Sequence, residues 1–247
     1  MAGEVNATLA IRVSELRVMF RNKVVLAATV LVPLIMAIGL LRIRATLVDV
    51  VGLAVPLTAL IQGLGCYMGL TGTFAARRAS SYLKRLRTTP LRPRSILIAL
   101  ALPVVGVNAI QLVVVLVVLA LTAGSPMNPI LVAIGAAALE LLFLLAAAAT
   151  SGVTRTADQA QITTIPFFGL VVGAAAWVSL NAGRSPIWLV LGVPGVAPLE
   201  VVAGAWTGHL GQHPLLLLAG TTLWLAIGAV AARGLFRWHE REVRSSH

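Results

Sequence analysis

Apolar residues in this chain come in long unbroken runs, not in alternating or one-sided patterns. The runs lie near residues 24–41, 47–72, 96–122, 129–151, 162–180 and 214–232. A helix needs about 20 mostly apolar residues to cross a hydrocarbon core roughly 30 Å thick, so the pattern predicts six transmembrane helices. Leu, Ala and Val dominate the runs without the period-two alternation of a barrel strand, and a lone strand would leave its backbone unpaired in lipid. The expected fold class is an all-α polytopic membrane protein, with residues 1–247 forming a single transmembrane domain.

Three segments break this pattern. In residues 1–23, Leu9, Val13, Leu16 and Phe20 recur at helical spacing, with Ser14, Arg17 and Arg21 on the other side. An amphipathic helix in the membrane interface is expected there. Arg12, Glu15, Arg17, Arg21 and Lys23 precede the first apolar run, unlike a cleaved signal peptide, so the first span is expected to be retained. In residues 75–95, Ala79, Tyr82, Leu83 and Leu86 follow an i, i+3, i+4, i+7 spacing, while Arg78, Lys84, Arg85 and Arg87 fill the rest of the turn. This predicts a short cationic helix that stops near Thr88 or Thr89, because Pro90 disfavours the helical conformation in the residue before it and Pro93 adds a second break. Residues 181–213 remain apolar but are cut by Gly183, Pro186, Gly192, Pro194, Gly195, Pro198, Gly204, Gly208 and Gly211. They predict a short re-entrant helical hairpin on the outer side, with Trp188 and Trp206 at the membrane interface.

Charge gives the runs an orientation. Only 11% of residues are charged, against about 25% in soluble domains. With the N-terminus in the cytoplasm, sixteen of the nineteen Lys and Arg residues fall on that side, and only Arg42, Arg44 and Arg184 fall outside. The expected topology therefore has both termini cytoplasmic. The net charge of +11 flanks apolar spans, so its partners are expected to be membrane lipid headgroups and not nucleic acid. Cys66 is the single cysteine and reads as a small buried apolar residue.

Few residues offer chemistry. The phosphate-cradling G-x-x-x-x-G-K-[S/T] pattern is absent, as are G-x-S-x-G, H-E-x-x-H and paired cysteines. No enzymatic activity, metal or cofactor is expected in the chain itself. His209 and His213 read as exposed loop histidines, while Asp49, Asp158 and Glu200 are scattered and join no motif. Glu140 lies near the centre of the fourth run, where a charge costs a few kcal/mol on insertion scales. It has two readings: a carboxyl lining a substrate route, or a structural group bonded to a neighbouring helix. Gln62, Asn108 and Gln111 are the candidate partners in either case. An ion-gradient-driven transporter using Glu140 is the alternative from another class, although no internal repeat accompanies it.

Further residues carry a resemblance. Glu15, Leu16, Arg21, Asn22 and Pro33 lead into the first span; Leu83, Lys84, Arg85, Leu86, Thr88, Thr89, Pro90 and Leu91 form a charged helix and Thr-Pro-Leu turn; Leu235, Phe236, Arg237 and Trp238 close the last span. In this order and spacing, over nearly the whole length, the chain resembles the integral membrane subunit of the ABC transporter type-2 permease family. Arg77 and Arg78 depart from that pattern, in which acidic residues are frequent at the start of the cytoplasmic helix.

The resemblance implies a six-span permease in a bacterial plasma membrane, paired with a second permease, identical or homologous, and with two cytoplasmic ATP-binding subunits. ATP and Mg would be bound by those partners. Tyr82, Leu83, Lys84, Arg85, Leu86 and Arg87 would form the coupling contact with the ATPase. The implied activity is export, and the apolar interior points to a hydrophobic drug or lipid-like compound.

Overall fold

The computed structural model describes residues 49–79, 93–154 and 156–235, with scattered positions between 31 and 42. Most of the first apolar run, the N-terminal amphipathic segment and the core of the cationic segment, including Tyr82 to Arg87, lie outside the described residues.

Every described element is helical. They are α1 (Val51–Gln62), a π-helical turn (Gly63–Met68), α2 (Gly69–Ala79), α3 (Pro93–Ala123), α4 (Pro129–Val153), α5 (Ala157–Leu180), α6 (Ile187–Gly192), α7 (Val196–Thr207) and α8 (Pro214–Leu235). Among the described residues, five spans are long and apolar enough to cross a membrane: Val51–Arg78, Leu97–Ala123, Pro129–Val153, Asp158–Leu180 and Pro214–Leu235. They coincide with the second to sixth apolar runs. The first of the five extends further than its apolar run, because α2 continues through Arg77 and Arg78 into the start of the cationic segment.

Local chemistry sets the helix ends. Asn128 caps α4 by accepting the Leu131 N–H at 3.1 Å, with Pro129 at the first helical position. Thr156 caps α5 in the same way through Gln159 N–H at 3.2 Å. Pro56, Pro103 and Pro166 lie inside helices, as membrane helices tolerate when neighbouring groups satisfy the freed carbonyls.

Packing is organised around α4, whose most extensive contacts are with α7 and α8. It also runs parallel to α1–α2. Gln62 and Cys66 each reach a carbonyl 74 residues ahead, and Arg78 reaches one 73 ahead, so the two spans stay in step along their length. One end of the bundle joins α2 to the end of α4, where Arg78 donates to Ser151 O and Thr154 O. At the other end the α3–α4 turn meets α7: Asn128 N–H donates to Ala205 O at 2.9 Å, and Trp206 Nε1–H donates to Gly124 O at 3.1 Å.

Apolar side chains face outward on α3 and α8, including Ile110, Val114, Leu121, Leu215, Leu218 and Val230, whereas Thr58, Gln62, Thr71, Asn108 and Glu140 are buried. This distribution suits a lipid solvent and would be an aggregation liability in water.

Residues 181–213 form two short helices, α6 and α7, joined where Gly195 takes φ 88°, a left-handed conformation that favours glycine. Neither helix is long enough to cross. α7 is buried against α1, α4, α5 and α8. Trp188 is exposed, as an interfacial residue would be, but Trp206 is buried and hydrogen-bonded within the bundle. Its position in a Gly/Pro-rich segment did not distinguish an outward from an inward indole.

Candidate functional site

Between α3 and α4 the bundle is open. α3 packs on α1, the π-turn and α2, while α4 packs on α7 and α8, which leaves the facing sides of the two helices apart. A cavity of about 750 Å³ fills this space, lined by Val105 to Ala120 on α3 and by Pro129 to Leu144 on α4. Gln62 and Trp206 complete its inner wall. The stretch from Pro129 to Leu144 corresponds to about 22 Å of helix at 1.5 Å per residue. Val113, Val117 and Leu141 line the cavity and are 59%, 50% and 43% exposed, so the groove opens sideways, toward the surface that contacts lipid in a membrane.

Its polar groups are few. Apart from Ser125 near the α3–α4 turn, the polar lining residues are Gln62, Glu140 and the indole-bearing Trp206. Gln62 Nε2 donates to Ala136 O at 2.8 Å. A carbonyl can only accept, so this bond orients the amide and leaves its Oε1 as an acceptor. Glu140 lies one turn beyond Ala136 on α4 and is 9% exposed. Among the described residues, Gln62 Oε1 and both Glu140 carboxyl oxygens are buried without a hydrogen-bond partner. Buried polar atoms of this kind cost about 1–3 kcal/mol each and call for an explanation.

The other two expected residues sit elsewhere. Asn108 donates to Ile61 O at 2.8 Å and ties α3 to α1. Gln111 is buried on α3, and neither residue lines the cavity. None of the three candidate partners hydrogen-bonds the Glu140 carboxyl. Cys66 Sγ instead approaches the Glu140 backbone oxygen at 4.0 Å.

Beneath the groove the π-turn from Gly63 to Met68 adds a residue to the helical repeat and directs Tyr67 into an aromatic cluster. Its ring lies 5.7 Å from Phe143 and 5.4 Å from Phe167, and its hydroxyl is 3.0 Å from Thr150 Oγ1. π-turns recur where a helix must redirect side chains at a site. Glycines at 63 and 65 were visible in the sequence, but a widened turn has no signature that separates it from ordinary helix.

A second polar centre went unrecognised in the sequence. Glu200 on α7 is fully buried and accepts hydrogen bonds from Gly183 N–H at 2.7 Å and from Ser185 Oγ–H. Gln212 Nε2 then bridges Gly183 O at 3.2 Å and Ser185 O at 2.7 Å. These four residues tie the loops on either side of the α6–α7 hairpin. His209 and His213 are exposed and bond within their own loop, and no group of three or more His, Cys, Asp or Glu that could hold a metal occurs among the described residues.

No protein-family model matches the chain, and no curated protein matches it.

Proposed function

We propose that this chain is the transmembrane permease subunit of an ABC exporter, with the α3–α4 groove as part of the substrate route and ATP hydrolysis supplied by separate cytoplasmic subunits. The observation that carries the reading is the physical link between the groove and the cationic segment. Arg78, at the head of that segment, grips the last turn of α4 through Ser151 O at 2.8 Å and Thr154 O at 2.9 Å. α4 also supplies Glu140 and one wall of the cavity. A force applied to the cationic segment therefore reaches the groove along one rigid helix. The absence of any phosphate-cradling motif in the sequence fits a division of labour with an ATPase partner.

In this reading the Arg77–Arg94 side of the bundle is cytoplasmic, by the excess of Lys and Arg there. The first apolar run supplies a sixth span, and the α6–α7 hairpin is a re-entrant element on the outer side. The groove then opens from mid-bundle toward the outer leaflet. Closure of two ATPase subunits on the segment containing Tyr82, Leu83, Lys84, Arg85, Leu86 and Arg87 would move α2 and α4 relative to α3, while a second permease completes the pathway. A hydrophobic drug or lipid-like compound is the cargo suited to the apolar lining.

Charge reversal at Lys84, Arg85 and Arg87 tests this in a purified, reconstituted complex. The expected result is ATP hydrolysis that no longer drives transport, with normal insertion of the permease. Unchanged coupling, or a chain that extracts in mild detergent without any ATPase, overturns the proposal. The unpaired Glu140 carboxyl favours one rival, a transporter driven by an ion gradient. Transport by the isolated chain that collapses with the proton gradient and ignores ATP would establish it instead.

A further inference from the structure

The groove has a chemical asymmetry beyond its shape. Three acceptor oxygens, Gln62 Oε1 and the two of Glu140, are buried without a hydrogen-bond partner among the described residues. Both residues line the cavity, at 2% and 9% exposure. Among the described residues no Lys, Arg or His lines it, and the remaining wall is almost entirely aliphatic. A site with unfilled acceptors and no competing cation is complementary to a donor-rich, positively charged group. A primary ammonium offers three N–H donors in one compact head, whereas a hydroxyl offers one and a sulfate none. The apolar length of the groove, open at Val113, Val117 and Leu141, suits a long hydrocarbon tail arriving from the bilayer.

We propose that the groove between α3 and α4 binds an amphiphile with a primary-ammonium head, taken laterally from the membrane. The head meets Glu140 and Gln62, and the tail lies along Val105, Val113 and Val117 of α3 and Leu141 of α4. Charge complementarity at Glu140 places the head, and the aliphatic wall contributes most of the affinity but little selectivity. The inference rests on reading the groove as a transport cavity and names its substrate class. It is tested by binding alone, so it stands or falls separately from the exporter assignment.

The probe is a primary alkylamine with a benzophenone in its tail, photo-crosslinked to the full-length chain in nanodiscs of neutral lipid and located by peptide mass spectrometry. The expected adducts fall on the Val113–Val117 stretch and around Leu141. Unlabelled alkylamine of the same length should displace the probe, while the matching alkanol and alkyl sulfate should compete at least tenfold less well. Glu140→Gln should weaken binding about tenfold or more, with Glu140→Asp recovering part of it. Because a change at Glu140 can also alter assembly, Val113→Trp serves as a second variant. It fills the mouth of the groove from a lipid-facing position and should block labelling with Glu140 intact.

Equal competition by the alkanol reduces the site to apolar partitioning and overturns the proposal, as does full labelling in a folded Glu140→Gln protein. Efficient disulfide formation between Val117→Cys and cysteines placed along residues 24–41 also overturns it, by showing that the first apolar run of the chain already fills the groove. Ammonium-selective labelling in a chain that recruits no ATPase would uphold the site while removing the exporter.

Discussion

Arg78→Ala removes the clamp between the end of α2 and the end of α4. The guanidinium donates from Nη1 to Ser151 O at 2.8 Å and from Nη2 to Thr154 O at 2.9 Å. Both carbonyls lie where α4 stops, so they have no following turn of amides to pair with, and the helix dipole there favours a cation. A hydrogen bond to a charged group contributes about 1.5–3 kcal/mol net, which sets a ceiling of about 3–6 kcal/mol for two. Arg78 is only half-buried, so water reaches the carbonyls when the side chain is lost. The expected destabilisation is therefore about 2 kcal/mol, well below that ceiling. Arg78→Lys keeps the charge but replaces a planar fork with a single ammonium, and should lose about 1 kcal/mol. Equilibrium unfolding of the purified chain in mixed micelles, titrated with a denaturing detergent and followed by circular dichroism, measures both. An Ala variant within about 0.5 kcal/mol of the parent, the range of ordinary surface changes, would refute the clamp. A Lys variant less stable than Ala would refute the electrostatic part of the argument.

Two further outcomes follow from buried geometry. Glu200→Ala leaves the Gly183 N–H without its acceptor at 2.7 Å and strips Ser185 of its partner, so a loss of about 3 kcal/mol is expected. Rapid protease cleavage within residues 181–213 should accompany it, and an intact, parent-like segment would argue against Glu200 as the organiser of the hairpin loops. At Gly220 on α8, an added Cβ would sit 2.7 Å from Val190 O and 3.0 Å from the Ala197 Cβ. Gly220→Val should push α8 away from α6 and α7 at a cost of about 1–3 kcal/mol, read as a lowered thermal midpoint; an unchanged midpoint would mean that the helices separate freely.

The five described spans were legible because a membrane helix is specified locally. Each must satisfy its own backbone hydrogen bonds, and an apolar run of sufficient length is both necessary and visible. Capping is equally local, since Asn128 and Thr156 act within three residues, but neither cap was singled out in the sequence. The candidate site was legible only in part. Glu140 and Gln62 stood out as polar residues inside apolar runs and prove to share a cavity, whereas Asn108 and Gln111 stood out equally and do not line it. A polar residue within a span announces that it avoids lipid, but not which neighbour it meets.

Sequence alone determined that this is a helical, multi-span membrane protein with its cations concentrated between spans, since hydrophobic length and charge placement act residue by residue. Tertiary structure decided the rest. It set α4 parallel to α1–α2 with a constant offset, turned Trp206 inward, made Glu200 the tie of a second polar network, and held α3 away from α4 to create the groove. Those outcomes depend on which apolar surfaces fit together. In lipid, where one aliphatic face is nearly as good as another for solvation, the choice falls to packing and to hydrogen bonds between residues 73 to 82 positions apart.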